Sequence, residues 1–362
     1  MIADEASAYR AAHERWASIA HPLGGLGTLE ETIARIARLK RTTDFRLDRR
    51  AVVVMCADNG VVAEGVSQSG CETTSVIAQA LAAGTSSVCL LARSARARVV
   101  AADVGMAIPV DDERLVSAAV ARGTRNIAEG PAMTEAEFSR ALEAGGRIMA
   151  RVARQGCDIV CLGEMGIGNT TTATAVACAL LGLDPDHATG PGAGLPQDAL
   201  ARKADAVRRA LAANGFPVGQ GVGSDARGDE GRNAQRALRC LGGFDLVAMA
   251  GAAIEARRLR VPVVVDGMVG QASALAALLM DPATADALVL SHVSSEPASR
   301  SLCDALGQRI GDAPAICAGM HLGEGAGAVC MLGLLDAAFE LFSRGTTFGE
   351  LDMEAYRDHR LC

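Results

Sequence analysis

The sequence predicts an α/β fold, Rossmann-like, with a doubly wound and mostly parallel sheet, on the strength of three observations. Short β-branched apolar runs at residues 51–56, 99–104, 158–162, 261–266 and 287–291 alternate with longer Ala/Leu-rich stretches. The runs are apolar at nearly every position, as in strands covered on both faces, rather than alternating polar and apolar. Strands separated by helices are joined by crossovers, which give parallel pairing with helices on both sides of the sheet.

The two ends of the chain read differently. Residues 1–45 are helical and amphipathic around a Gly-rich break at 22–27, and residues 328–362 are helical with no strand after them. These two segments together are expected to form a small helical domain, with residues 46–327 as the large α/β domain. Gly-rich turns interrupt the middle at 190–194 and 219–231, the second read as an exposed loop.

Composition narrows the function classes. Half of the 362 residues are hydrophobic, enough for a large core in two domains. The 35 basic and 42 acidic residues give a net charge of −7, and basic residues cluster no further than pairs such as Arg208-Arg209, which disfavours a nucleic-acid partner. The start, Met1-Ile-Ala-Asp-Glu, lacks the basic and then apolar pattern of a signal peptide, so the expected location is the cytoplasm. The longest apolar run, 326–341, carries Asp336 and Glu340 and is shorter than the ~20 residues a membrane span needs, so no membrane partner is expected. Eleven cysteines form no C-x-x-C pair, and Cys89, Cys161, Cys178 and Cys330 sit in apolar runs, as small reduced core residues do. Cys157 and Cys161 are four apart in a strand-like segment, a spacing that does not bring two thiolates onto one ion; no metal is expected.

In an open α/β sheet, ligands bind beyond the carboxyl ends of the strands. The segment Gly163-Glu-Met-Gly-Ile-Gly-Asn-Thr-Thr-Thr172 follows one such end. Its glycines allow close approach to a ligand, Asn169 or Thr170 can cap the next helix, and free N–H groups there favour an anion such as phosphate. An ordinary strand-to-helix turn explains the same residues equally well. The segment is neither a P-loop nor a G-x-G-x-x-G fingerprint. Glu324, between glycines in Leu322-Gly-Glu-Gly-Ala-Gly327 before an apolar helix, is either a partner for that helix's dipole or a base for an aromatic N–H or O–H. Glu164 either orients a second substrate or anchors its loop. Asp58, Asp266 and Ser294 have the chemistry to hold ribose or phosphate, with purely structural roles as the alternative. His292 and His321 are read as structural, since no G-x-S-x-G elbow accompanies them.

Taken in order, these segments resemble the nicotinate-nucleotide:dimethylbenzimidazole phosphoribosyltransferases, which make the lower-ligand nucleotide of cobamides. The resemblance runs from His21-Pro-Leu-Gly-Gly-Leu-Gly-Thr-Leu-Glu30 through Val54-Met-Cys-Ala-Asp-Asn-Gly-Val61, residues 163–172 and Gly190-Pro-Gly-Ala-Gly-Leu195. It continues in Gly242-Gly-Phe-Asp-Leu-Val-Ala-Met-Ala-Gly251, Asp266-Gly, Ser291-His-Val-Ser-Ser-Glu296 and Leu322-Gly-Glu-Gly-Ala-Gly327, covering roughly residues 18–345. It implies a homodimer with small-molecule substrates and without metal or cofactor. The implied reaction moves ribose 5-phosphate from nicotinate mononucleotide to 5,6-dimethylbenzimidazole, giving α-ribazole 5′-phosphate and nicotinate.

The same resemblance makes Glu324 the catalytic base and Glu164 the acidic residue near the reacting ribose. Gly166, Gly168, Asn169 and Thr170 would hold the nucleotide, with further contacts from Lys203, Asp266, Ser291 and Ser294. Ser69, Ile77 and Leu322 would line the acceptor pocket. The chain departs from the family pattern at Leu23-Gly24-Gly25 in place of Pro-Gly-Ser, at Asn59 in place of His, and at Ile77 in place of a pocket glutamine. These departures leave adenine, other benzimidazoles and phenolic bases open as acceptors. A supporting subunit of a heterodimer is the non-catalytic alternative.

Overall fold

The computed structural model describes residues 4–222 and 229–356. The extreme ends of the expected helical domain and the middle of the expected 219–231 loop lie outside the described residues. The chain opens with helices α1 (Glu5–Ser18) and α2 (Thr28–Lys40), then passes through β1 (Arg50–Ala57), α3 (Cys71–Ala83), α4 (Ser87–Ser94), β2 (Ala97–Gly105) and β3 (Val116–Ser117). Next come α5 (Glu135–Arg154), β4 (Ile159–Met165), α6 (Asn169–Leu181), α7 (Pro185–Ala188), α8 (Gln197–Ala213), α9 (Glu230–Leu241) and α10 (Phe244–Leu259). The last elements are β5 (Val263–Val265), α11 (Met268–Met280), β6 (Leu288–Leu290), α12 (Ala298–Ile310) and α13 (Ala326–Arg344).

The six strands form one sheet in the order β3-β2-β1-β4-β5-β6, and every neighbouring pair is parallel. The α/β, doubly wound expectation is thus met, with the strand order reversing between β1 and β4. β1 shows why its sequence is apolar throughout. Ala51, Val53 and Met55 enter one core, while Val52, Val54 and Cys56 enter the other, so a period of two fills both faces. All five expected strands are present with shifted ends. β4 runs to Met165, because Gly163, Glu164 and Met165 continue the ladder opposite Val54, Met55 and Cys56. β3 escaped the sequence reading because two residues carry no periodic signal.

One face is covered by α5, α10 and α11 among others. α5 starts with a capping box, in which Thr134 and Glu137 satisfy each other's amides, and it buries Phe138, Ala141, Ile148 and Val152 at helical spacing. The other face is covered by α2, α3, α4 and α13, with Val329, Leu332 and Leu335 of α13 in the same core as Val52 and Cys161. Contacts from the N-terminal helices hold the far end of α13. The Arg15 guanidinium donates to the carbonyls of Phe342 and Gly345, both at 2.9 Å, where a cation complements a helix carboxyl end. Thr32 (2.8 Å) and Arg35 (3.0 Å) donate to the buried Asp312 carboxylate beyond α12, tying α2 to the α/β body.

Two sequence readings change. Cys330 is exposed, because it falls on the outward side of α13 one position past the buried Val329. α13 is also longer than the apolar run suggested: at 19 residues, Ala326–Arg344 is apolar and long enough to span a bilayer, as is Cys71–Ser94. In the structure α13 buries one side in the core, and Cys71–Ser94 is two helices broken at Gly84.

Candidate active site

A cleft opens beyond the carboxyl ends of β4, β5 and β6, close to the reversal in strand order, where a doubly wound sheet leaves a crevice between its connections. Of the residues singled out in the sequence, Glu164, Gly166, Asn169, Thr170, Asp266, His292, Ser294, His321, Leu322 and Glu324 line it. A larger hollow of ≈ 1170 Å³ between α4 and α13 holds none of the residues expected to bind substrate or catalyse.

The position of Glu324 is set by its backbone. Gly323, Glu324 and Gly325 all have left-handed φ values, 80°, 59° and 90°. Glu324 is the residue among them that must tolerate this with a Cβ, at a cost of roughly 1–2 kcal/mol. Asp266, just past β5, compensates by accepting the Gly325 amide at 3.1 Å and the Ala328 amide at 3.0 Å. Gly163 in β4 lets the loop lie flat on the strand, since a Cβ there would sit 2.3 Å from the Glu324 carbonyl oxygen. The Glu324 side chain is half-buried, and its Oε2 accepts the Val88 amide at 3.3 Å in the first turn of α4. The dipole partner of α13 is therefore Asp266, and Glu324 faces a different helix, leaving its other oxygen for the cleft.

The opposite wall starts at Glu164, the penultimate residue of β4. Gly168, with φ at 90°, occupies the cap position of α6, so the expected side-chain cap from Asn169 or Thr170 does not form. The Asn169 amide nitrogen instead donates to the Glu164 carboxylate and to Asp245 Oδ2 (3.2 Å), spanning two acids. Burial first, then the neighbouring Asp245 and Asp266 charges, push the Glu164 carboxyl well above the usual range. Burial likewise pushes Asp245 up to about 7.

Thr170 connects the cleft to a buried cation. Its Oγ1 accepts from Lys203 Nζ at 2.9 Å, and Lys203 also donates to the Gly190 carbonyl at 2.8 Å. Burial lowers the Lys203 ammonium to about 8 against the opposing pull of Glu296. Glu296 accepts the Gly192 amide at 2.9 Å and so fastens the Gly-rich 190–194 turn to the cleft edge. Ser294 Oγ accepts the Glu296 amide at 3.3 Å.

Several expected contacts lie off the cleft. Gly168 packs on Asn59, and Ser291 is buried, its hydroxyl donating to the Val265 carbonyl at 2.6 Å. Ser69 stands in the turn before α3 and the half-buried Ile77 packs into the core under α3; neither lines the cleft with Leu322. Asp58 accepts from Thr74 Oγ1 (2.6 Å) and the Ala107 amide (2.8 Å), a structural pairing. Among the described residues, no group of three or more His, Cys, Asp or Glu side chains is arranged to hold a metal. Sequence reasoning missed Asp245, whose only signal was one acid in the apolar run 244–253, and the methionines at 165, 268 and 320 that line the cleft.

Comparison with known proteins places this geometry. A family model described as phosphoribosyltransferase matches residues 3–352. A nicotinate-nucleotide–dimethylbenzimidazole phosphoribosyltransferase of Ruminiclostridium cellulolyticum is 34% identical over 346 residues, spanning 96% of this chain and 94% of that protein. Its counterpart in Chromobacterium violaceum is 37% identical over 344 residues, 95% of each chain. The crystal structure of CobT from Thermus thermophilus superposes with a TM-score of 0.86 at 37% identity, covering 97% of this chain and 100% of that one.

The buried Asp245 makes a pH prediction. With its folded pKa raised above the unfolded value, the native state keeps a proton that the unfolded chain sheds between about pH 4 and 7. Its contribution to stability is therefore present at low pH and lost as pH rises through about 7. Asp245→Asn keeps an acceptor for Asn169 and removes this titration. Urea denaturation at pH 5 and pH 8 should show the variant's gain over wild type larger at pH 8 than at pH 5 by on the order of 2–4 kcal/mol; an equal difference at both would refute the assignment.

Proposed function

We infer the reaction from one premise: the chain belongs to the nicotinate-nucleotide–dimethylbenzimidazole phosphoribosyltransferase family. It is a transferase that moves ribose 5-phosphate from nicotinate mononucleotide to 5,6-dimethylbenzimidazole, releasing nicotinate and forming α-ribazole 5′-phosphate for the lower ligand of a cobamide. The observation that best supports a catalytic chain is that Glu324 and Glu164 share one cleft with the amino end of α6.

The chemistry needs little acid help at the leaving group. In nicotinate mononucleotide the C1′–N bond ends on a pyridinium, so the bonding pair leaves onto a nitrogen that becomes neutral. The acceptor forms a new C1′–N bond through one ring nitrogen and must lose the proton on the other. Glu324 takes that proton, a step that contributes about 10²–10⁴-fold when a base is well placed. Attack from the far face converts the β-linkage to an α-linkage. Both the pyridinium and the positive charge that develops at C1′ are cationic, which suits a cleft walled by Asp266 and Glu324 and favours the ionised form of the Glu164 carboxyl against the upward shift that burial imposes. The phosphate goes to the amino end of α6, where Thr170 rests on Lys203. Met165, Met268, Met320 and the exposed Leu322 offer the acceptor an apolar, adaptable surface.

We further propose that the chain works as a homodimer. Support comes from Val76 (59% exposed), Leu90 (57%) and Ile108 (43%), large apolar side chains on and beside α3 and α4 that a monomer would leave in water. Light scattering should then give twice the 37.1 kDa chain mass; a monomer at micromolar concentration would contradict it.

The reaction is tested by incubating the purified chain with nicotinate mononucleotide and a mixture of dimethylbenzimidazole, adenine and p-cresol, then reading nicotinate and new ribotides by mass spectrometry. Dimethylbenzimidazole ribotide is the expected main product, and absence of nicotinate release would sink the reading. Glu324→Gln should keep nucleotide binding and lower turnover by ~10² or more; wild-type turnover would remove Glu324 from the mechanism. Gly163→Ala, which forces the Glu324 backbone off the strand, should lower kcat by about 10²-fold with a much smaller effect on KM, as a 1 Å misplacement of a catalytic group does. An unchanged kcat in that variant would show that the loop's seat on β4 does not position the base.

A further inference from the structure

We infer that His292 is a specificity residue: its Nε2 lone pair accepts a hydrogen from a ribose hydroxyl of the bound nucleotide. The inference rests on the reaction proposed above and adds a residue to it.

Hydrogen-bond accounting assigns the tautomer. Ser291 has one hydroxyl hydrogen and stands 2.6 Å from the Val265 carbonyl oxygen, which carries no hydrogen of its own. The serine hydrogen must lie there. At 2.9 Å from His292 Nδ1, the same Oγ can then only accept, so Nδ1 carries the ring hydrogen. Burial lowers the His292 pKa below its ordinary value, against the pull of Asp266, and keeps the ring neutral. Nε2 is left as a bare lone pair.

That lone pair faces the cleft. The ring lines the cavity wall, and Nε2 has no hydrogen-bond partner among the described residues, yet it is not sealed in the interior. Gly267 keeps it uncovered, because a Cβ at that position would sit in van der Waals contact with Nε2, 3.4 Å away. The adjacent Nδ1–Cε1 edge is held by the start of α13: a Cβ on Gly327 would meet His292 Cε1 at 2.1 Å, so the helix rests directly against the ring. The acceptor is therefore fixed in direction before substrate arrives.

The chemistry of the substrate decides what it can accept from. Above about pH 7 the phosphate of nicotinate mononucleotide is a dianion, since its second pKa is near 6. Its carboxylate is ionised and its pyridinium nitrogen has no hydrogen. Only the 2′- and 3′-hydroxyls are donors. The acceptor base brings a single N–H, which goes to Glu324. A ribose hydroxyl is the remaining partner, and a neutral lone pair at this point also disfavours a misplaced phosphate.

The test is a cycle of substrate and side chain. Wild type, His292→Asn and His292→Gln are assayed at pH 8 with nicotinate mononucleotide and with its 2′-deoxy and 3′-deoxy forms. Asparagine keeps the donor to Ser291 and lacks the distal acceptor; glutamine keeps an acceptor near the Nε2 position. Losing one such hydrogen bond lowers kcat/KM by roughly 3–10-fold. Wild type should lose that factor on one deoxy substrate, His292→Asn should lose it on the ribo substrate and nothing further on that deoxy substrate, and His292→Gln should fall between. Full wild-type activity on both deoxy substrates overturns the inference, as does an asparagine penalty undiminished on both. If His292→Asn fails to fold, as judged by its melting curve, the same comparison is made with His292→Gln. No turnover of nicotinate mononucleotide by wild type would instead refute the parent reaction.

Discussion

Two backbone amides, those of Gly325 and Ala328, converge on the carboxylate of Asp266, and this contact fixes where α13 begins. Bonds from amides to a charged acceptor at a helix start stabilise by about 1.5–3 kcal/mol each, enough to hold three successive left-handed residues in place. The loop is then pressed onto β4 at Gly163, and Glu324 is delivered to the cleft by backbone rather than by its flexible side chain. Arg15 meets the carbonyls at the other end of the same helix, so the first and last helices bear on the placement of one carboxylate in the middle of the molecule.

Around that anchor the structure concentrates acids. Glu164, Asp245, Asp266 and Glu324 influence one another, and burial raises Glu164 and Asp245 far above ordinary carboxylates. Crowding of this kind costs stability when the groups ionise and suits a reaction whose substrate and transition state carry positive charge. The Asn169 amide lowers the cost by donating to both Glu164 and Asp245. Lys203 works in the other direction: buried, bound to Thr170 and the Gly190 carbonyl, it sets positive charge beneath the end of the cleft where an anion is expected.

How much of this was legible in the sequence depended on range. Strands announced themselves through local composition, because burial on both faces leaves an apolar residue at each position, as in residues 51–56. Glu324 stood out because glycines flank it, the local mark of left-handed backbone. Asp266 was noticed, but its use by amides 59 and 62 residues later is a tertiary fact with no local trace. The α6 cap, expected at Asn169 or Thr170, falls one or two positions earlier on Gly168, which has no side-chain oxygen to offer and so leaves no capping signature in the sequence. Asp245 hid inside an apolar helix, and Ser69 and Ile77, grouped with Leu322 in the sequence, stand in the turn before α3 and on α3 rather than in the lining of the cleft.

The central claim is a single in-line displacement at C1′, with Glu324 removing the acceptor's proton and no enzyme carboxylate becoming bonded to the sugar. The most direct test is the anomeric configuration of the ribotide formed from β-nicotinate mononucleotide, read by NMR from the H1′ coupling and its contacts to the base. The account predicts the α-anomer as sole product. A β-anomer would mean two successive inversions, with a carboxylate such as Glu164 as the intermediate nucleophile, and would contradict it.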